Sequence, residues 1–273
     1  MEYEDGARIE RLYSGKLEKV FPQMRQHSAF YKNPVDSIEV NELGFIGDEH
    51  VKIHGGVERA VHHFAQETYK QLKEHFPEAE ETLSAGEHNG FGENISTVGG
   101  NMNSHTICIG DRFEVGSCVF EVSQPRFPCK KVNYRHNIEK GLTEYTLSEG
   151  VSGWFYRVIN PGKVSVGDTF KRISHTNPDV TLYKVQTCLF GNEEVKNKYP
   201  KEFYQKLVNL QTLSEIPWKK NARKVLGLPN TQTPEQILQE LGFNNTTRNN
   251  ELMKEFDRDL DKVISVLINE SEN

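Results

Sequence analysis

A cysteine set between prolines and cations is the part of this chain best suited to chemistry. The stretch is Ser123-Gln124-Pro125-Arg126-Phe127-Pro128-Cys129-Lys130-Lys131-Val132-Asn133-Tyr134-Arg135. Pro125 and Pro128 fix φ and stiffen the approach to Cys129. Arg126, Lys130, Lys131 and Arg135 surround the sulfur in sequence, and neighbouring cations favour thiolate over thiol. A thiolate on a stiff loop can attack an electrophile or ligate a soft metal. An inert thiol among surface lysines is the alternative, and the loop alone leaves both readings open.

Two further loops carry unusual residues. Gly47-Asp48-Glu49-His50 runs on to Ile53-His54-Gly55-Gly56-Val57-Glu58-Arg59-Ala60-Val61-His62-His63-Phe64. Gly55 and Gly56 let a backbone approach a ligand closely, and Arg59 offers a permanently charged fork suited to phosphate. His54, His62 and His63 invite a zinc reading, but no HExxH is present. On an extended segment, adjacent His62 and His63 face opposite sides, so at most one serves a given site. An anion-binding or hydrogen-bonding role for His54 and His63 is the expectation. Phe91-Gly92-Glu93-Asn94 taken alone reads as a turn.

These loops need elements to hold them. Over the first 175 residues the pattern is short strands punctuated by glycine and proline. A hairpin is predicted over 8–21, turning at Tyr13-Ser14-Gly15-Lys16. Strands are predicted over 37–40, 106–109, 112–115, 118–123, 163–166 and 169–173. Close turns between many short strands suggest a closed or nearly closed barrel, which leaves no exposed edge. A helix is predicted over 65–76, where Tyr69, Leu72 and Phe76 share a face, and a short one around Trp154, Val158 and Ile159. No alternating strand–helix rhythm and no GxGxxG or GxxxxGK appears, which disfavours a nucleotide-binding α/β fold.

After Asn177 the pattern turns helical, over 182–190, 202–210 and 215–226. Thr233-Pro234-Glu235-Gln236 is a capping box with proline at the first helical position, and that helix is predicted to end at Gly242. A final helix is predicted to align Leu252, Phe256, Leu260, Val263, Ile264 and Leu267. The fold class is therefore α+β, mainly β. It has a barrel domain over 1–175, a helical extension over 176–230 and an acidic helical tail over 231–273.

Composition narrows the function. With 36% hydrophobic and 26% charged residues, the 273-residue chain is apolar enough to fold. No run approaches the ~18–20 apolar residues of a membrane helix, and the acidic start, Met1 to Gly6, lacks a secretory pattern. A cytoplasmic protein that binds no membrane is the expectation. The net charge of −6 argues against nucleic acid as partner. Nine Asp/Glu against four Lys/Arg put most of that charge in the tail, which leaves the body free to gather cations around an anionic ligand. The four cysteines contain no CxxC pair, which weakens a structural zinc or redox-pair reading. Cys108 and Cys118 sit in apolar runs as expected of buried structural thiols.

In order along the chain, six motifs together resemble the MOSC family, named for the C-terminal part of molybdenum cofactor sulfurases. They are the Gly-Asp-Glu-His stretch, Ile53-His54-Gly55-Gly56, Arg59-Ala60-Val61-His62-His63, Phe91-Gly92-Glu93-Asn94-Ile95-Ser96-Thr97, Ile109-Gly110-Asp111 and the cysteine loop. Gly153-Trp154-Phe155-Tyr156 and Pro161-Gly162-Lys163-Val164 continue the likeness, which covers about residues 8–173. It is strongest to the stand-alone bacterial branch linked to detoxification of N-hydroxylated bases, and the helices after Asn177 resemble that branch's three-helix extension.

The resemblance implies a MOSC-type β-barrel with inserted short helices and a basic cleft for a molybdenum–pterin cofactor. It places the family's cysteine on Cys129, as metal ligand or sulfur carrier. It places the cleft on His54, Gly55, Gly56, Arg59, His63, Asn94, Arg126, Lys131 and Asn133. The activity implied is reduction of small N-hydroxylated molecules. The sequence carries no flavin, nicotinamide or Fe–S pattern, so a separate electron-donor protein is expected. A cofactor carrier, or a sulfur carrier with a persulfide on Cys129, are the other functions weighed.

Overall fold

The computed structural model describes residues 3–21, 26–49, 55–84, 89–229, 232–241 and 243–271. The strands run, in chain order, β1 (Ala7–Ser14), β2 (Lys19–Phe21), β3 (Gln26–Ser28), β4 (Asn33–Val35), β5 (Ser37–Asn41) and β6 (Gly44–Phe45). They continue with β7 (Val61–His63), β8 (Ile95–Val98), β9 (Arg112–Val115), β10 (Cys118–Pro125), β11 (Trp154–Asn160), β12 (Gly162–Ser165) and β13 (Thr169–Ser174). Seven of them close into a mixed barrel in the order β13-β9-β10-β11-β7-β8-β1, with β1 pairing back onto β13. β7 and β8 run parallel, His63 facing Ile95 across the ladder. The other barrel pairs are antiparallel. Closure removes the unpaired strand edges that an open sheet would expose.

Residue alternation explains the barrel's inside. β9 exposes Arg112 and Glu114 and buries Phe113 and Val115. Tyr156 sits among inward rings, its centroid 5.5 Å from Phe120 and 6.2 Å from Phe170. Each such fully buried side chain contributes about 1.5–3 kcal/mol of transfer free energy. β10 departs from alternation, with every residue from Phe120 to Pro125 buried. The helix Leu182–Phe190 packs against it.

Helices fill the connections. α1 (Gln66–His75), α2 (Glu80–Leu83), α3 (Lys131–Arg135) and α4 (Leu142–Ser148) interrupt the barrel. They enclose a second core in which Phe64, Tyr69, Leu72, Phe91, Val132 and Leu142 pack together. α5 (Leu182–Phe190), α6 (Glu193–Lys196), α7 (Lys201–Asn209) and α8 (Lys220–Val225) form the extension. Leu182, Val185, Leu207, Trp218 and Ala222 join the same core as the barrel, so barrel and extension are one packed body. α9 (Pro234–Glu240), α10 (Thr246–Glu255) and α11 (Leu260–Ser271) form the tail, around a third core of Leu238, Phe243, Leu252, Met253, Val263 and Leu267.

Four sequence expectations are corrected. The stretch around Trp154 is strand β11, not a helix: it buries Trp154, Tyr156 and Val158 alternately and pairs with both β10 and β7. The hairpin over 8–21 does not form, because β1 pairs with β4, β8 and β13 while β2 pairs with β3. Residues 106–109 are a turn with one isolated bridge, Cys108 to Thr181, since the Asp111 carboxylate takes the Cys108 N–H that a ladder would use. The last predicted helix is two, α10 and α11, broken where Asp257 and Arg258 take φ of 49° and 59°. The predicted stop at Gly242 lies outside the described residues. The capping box holds: Thr233 Oγ1 accepts from the Gln236 N–H, and the Gln236 side chain from the Thr233 N–H.

Candidate functional site

The cysteine loop is held at both ends before it reaches the sulfur. The Arg126 N–H donates to the Gly153 carbonyl, and Ser152 Oγ donates to the Arg126 carbonyl at 2.6 Å. Gln186 from the extension donates in turn to Ser152 Oγ. Cys129 lies just ahead of α3, its carbonyl accepting from the Val132 N–H. Cys129 is half-buried, whereas Cys108, Cys118 and Cys188 are buried. Burial pushes the Cys108 thiol up to about 12 and the Cys118 thiol to about 11. Those two are inert.

Cys129 opens onto a cavity of about 730 Å³, within the range of small-molecule and cofactor sites. Arg59, Asn94, Arg126 and Lys131, all expected at the site, line it together with Cys129. Arg126 is 7% exposed, with its guanidinium 5.8 Å from the ring centres of both Phe30 and Phe91. Its Nη1 is buried without a hydrogen-bond partner among the described residues, and so is Nε2 of His62 on the same wall. Burial lowers the Arg126 pKa, with Cys129, Glu93 and Tyr69 opposing. Burial holds His62 well below its usual value, and Arg126 lowers it further. The wall thus offers a charged donor and a neutral imidazole with capacity unspent. Buried polar atoms are normally paired, so the cavity suits a ligand with acceptor atoms, and a cysteine sulfur suits a soft metal. The residues present fit a molybdenum–pterin group of anionic character.

Other expected residues stand elsewhere. His63 turns into the barrel, fully buried, with Nδ1 2.9 Å from Tyr156 Oη and Nε2 2.8 Å from Thr97 Oγ1. Both ring nitrogens are used, and the opposite neighbour, His62, is the one that faces the cavity. Gly55 and Gly56 do not line it; a Cβ on Gly56 would meet nothing within 4 Å, and its φ of 94° is what requires glycine. Asn133 is buried under α4, its Oδ1 accepting from the Thr143 N–H and Oγ1. Its role is to join α3 to α4. His54 lies outside the described residues.

Asn94 reaches the cavity as a brace. Its Oδ1 accepts from the His62 N–H, and its Nδ2 donates to Asp48 and to the Tyr13 carbonyl. Glu93 beside it accepts from Tyr69 Oη and the Phe91 N–H and is raised by burial. These bonds close the Phe91–Asn94 turn against the second core. Arg59 donates to the Ile216 carbonyl of the extension at 3.2 Å. Trp218, two residues on, donates to Gln124 Oε1. The extension is therefore part of the site's frame.

Sequence reasoning missed Lys32. It lines the cavity at 4% exposure, with Nζ on the carboxylate of Asp48, itself 1% exposed at the side chain. Burial lowers the Lys32 pKa, and Asp48 raises it again. Gly15 allows this: its N–H donates to Asp48 Oδ1, and a Cβ there would lie 3.0 Å from the Ala29 carbonyl oxygen and Lys32 Cγ. No pattern marks Lys32 in one sequence, since lysine is mostly a surface residue.

A second cluster lies apart. Ligand atoms of Cys108, Asp111 and His175 fall within 4.8 Å of one another. Asp111 already accepts from the Cys108 N–H and from His175, and Arg172 lies 3.5 Å from it. With that cation adjacent and the Cys108 thiol held protonated, the cluster reads as a structural knot.

A closed mixed barrel carrying a cysteine loop over a cationic cavity defines a recognisable class of protein. The MOSC domain model matches residues 50–171. The protein YiiM of Escherichia coli strain K12 is 38% identical over 174 residues, 63% of this chain and 74% of its own. A Gibberella moniliformis protein described as a reductase is 35% identical over 165 residues, 59% of this chain but 28% of its own length. The crystal structure of E. coli YiiM superposes with a TM-score of 0.61 at 28% identity, covering 85% of this chain and 96% of that one. This chain belongs to the MOSC family.

Proposed function

We propose that this protein binds a molybdenum–pterin cofactor in the Cys129 cavity and reduces small N-hydroxylated molecules there. One observation carries the reading: the half-buried thiol of Cys129 and the buried guanidinium of Arg126, with a donor unspent, share one cavity with Arg59 and Lys131. Family membership and the relative described as a reductase support it.

In this reading Cys129 is the metal ligand, and Arg59, Arg126 and Lys131 hold the anionic parts of the pterin. When bound, molybdenum supplies two-electron chemistry that takes oxygen from nitrogen. The overall change converts a hydroxylamine, two electrons and two protons into amine and water. The chain's residues exclude water, orient the ligand and balance its charge. Arg126 acts from a low-dielectric wall formed by Phe30 and Phe91, where a charge interacts more strongly than in water. The electrons come from a separate donor protein. The protein works in the cytoplasm; among the described residues no helix is long and apolar enough to cross a membrane.

The test is turnover. Protein made in a cofactor-producing host is given a reduced viologen as electron source and a panel of N-hydroxylated bases and amidoximes. Stoichiometric amine formation, lost in Cys129→Ser, is the expected result. Cofactor-loaded protein that forms no amine with any donor would turn the reading into that of a carrier.

A further inference from the structure

The tail bundle has its own core, and its ion pairs Arg248–Glu270, Arg258–Glu235 and Lys262–Asp259 close within it. Yet two of its residues reach beyond it. Leu241, at the end of α9, and Ile264, on α11, line the cavity that holds Cys129. Both pack against the tail's own core yet are only partly buried, which leaves apolar surface to present to the cavity. The tail also carries nine acidic residues against four basic ones, beside a cavity lined by Arg59, Arg126 and Lys131. E. coli YiiM matches over 96% of its own length while covering 85% of this chain, so this chain carries structure beyond the shared part.

We propose that Leu241 and Ile264 form an apolar roof that limits by size what reaches Cys129. The molecules admitted are small and free, with an apolar body that packs between Leu241, Ile264, Leu147, Phe155 and Ile216. A base within a nucleic-acid strand is shut out twice, by the roof and by the tail's negative field. As a statement about substrates this rests on the proposed function; as a statement about access to Cys129 it does not.

Access is measured by alkylating the full-length, cofactor-free protein. The buried state of the other three cysteines makes Cys129 the reporting thiol. N-ethylmaleimide is compared with a maleimide joined by a short linker to oligothymidylate, at high salt so that size alone is read. In wild type the bulky reagent is expected to react at least about tenfold more slowly, as for a state open no more than ~10% of the time. Leu241→Ala/Ile264→Ala should bring the two rates together with the small reagent little changed. Ile264→Trp should widen the gap, a direction that unfolding of the tail cannot mimic. The same ratio of rates in all three proteins, or equal rates in wild type, would overturn the roof. Neither outcome depends on molybdenum, so a failure here is distinct from a failure of the proposed function.

Discussion

Arg126 shows how a site can be a cost to the fold. Its guanidinium is buried between two phenylalanine rings with Nη1 unpaired, an arrangement that stabilises little without a ligand. Arg126→Met is therefore expected to leave the melting temperature of the cofactor-free protein unchanged or higher. Cofactor retention should fall about ten- to a hundredfold, the equivalent of one lost charged hydrogen bond. Parallel thermal melts and molybdenum assays check both halves. Lys32 and Asp48 are the opposite case, a buried pair that needs both members. Asp48→Asn should cost about 3–5 kcal/mol by stranding the ammonium, and adding Lys32→Met should restore most of it in urea unfolding. Protonation adds a third test. Burial holds His63 at about 3 and His136 at about 4, below the ~6.5 of an unfolded histidine. The unfolded chain takes up protons that the folded rings refuse. Stability is thus full above pH ~6.5 and falls as pH drops toward the folded values, by up to about 1.4 kcal/mol per pH unit per ring. His136→Gln should flatten that slope. Cys129 and Arg126 were legible because prolines and cations crowd one thiol in the sequence. The roles of His63 and Asn94 were not, since only the closed barrel decides which side of β7 faces the cavity.

At the scale of elements, the extension is a structural part of the site. Trp218 is fully buried, bonded to Gln124, and sits two residues from the carbonyl that receives Arg59. Trp218→Ala should cost about 3–5 kcal/mol in denaturant unfolding and lower cofactor retention without touching the cavity itself. Strands β9, β12 and β13 were legible from alternation and turn glycines, and β10 from its β-forming residues after the turn at Gly116, although it is buried throughout from Phe120. β11 was misread because Trp154, Val158 and Ile159 mimic helical spacing while the pairing that makes them a strand lies far away in sequence. The break between α10 and α11 was hidden because the apolar stripe continues across it: Asp257 is of a type enriched at positive φ, but Arg258 beside it is not.

For the whole molecule, many short strands with close turns already pointed to a closed barrel, but not to how it closes. β1 meets β13 at Ala7 and Phe170, a pairing between distant segments that local patterns do not contain. Barrel and extension share a core, while the tail has its own, so the tail should open independently. Leu252→Ala is expected to lower hydrogen-exchange protection across α9–α11 by about 2–5 kcal/mol and leave the barrel amides unchanged. Loss of protection in both bodies would show that they unfold together. The account as a whole depends on one atom, the sulfur of Cys129. The most direct measurement is the molybdenum content of wild type and Cys129→Ser, purified from a host that makes the cofactor. Near-stoichiometric metal in wild type and a sharp loss in the variant is the predicted result. No molybdenum in either protein, with cofactor supply verified, would contradict it.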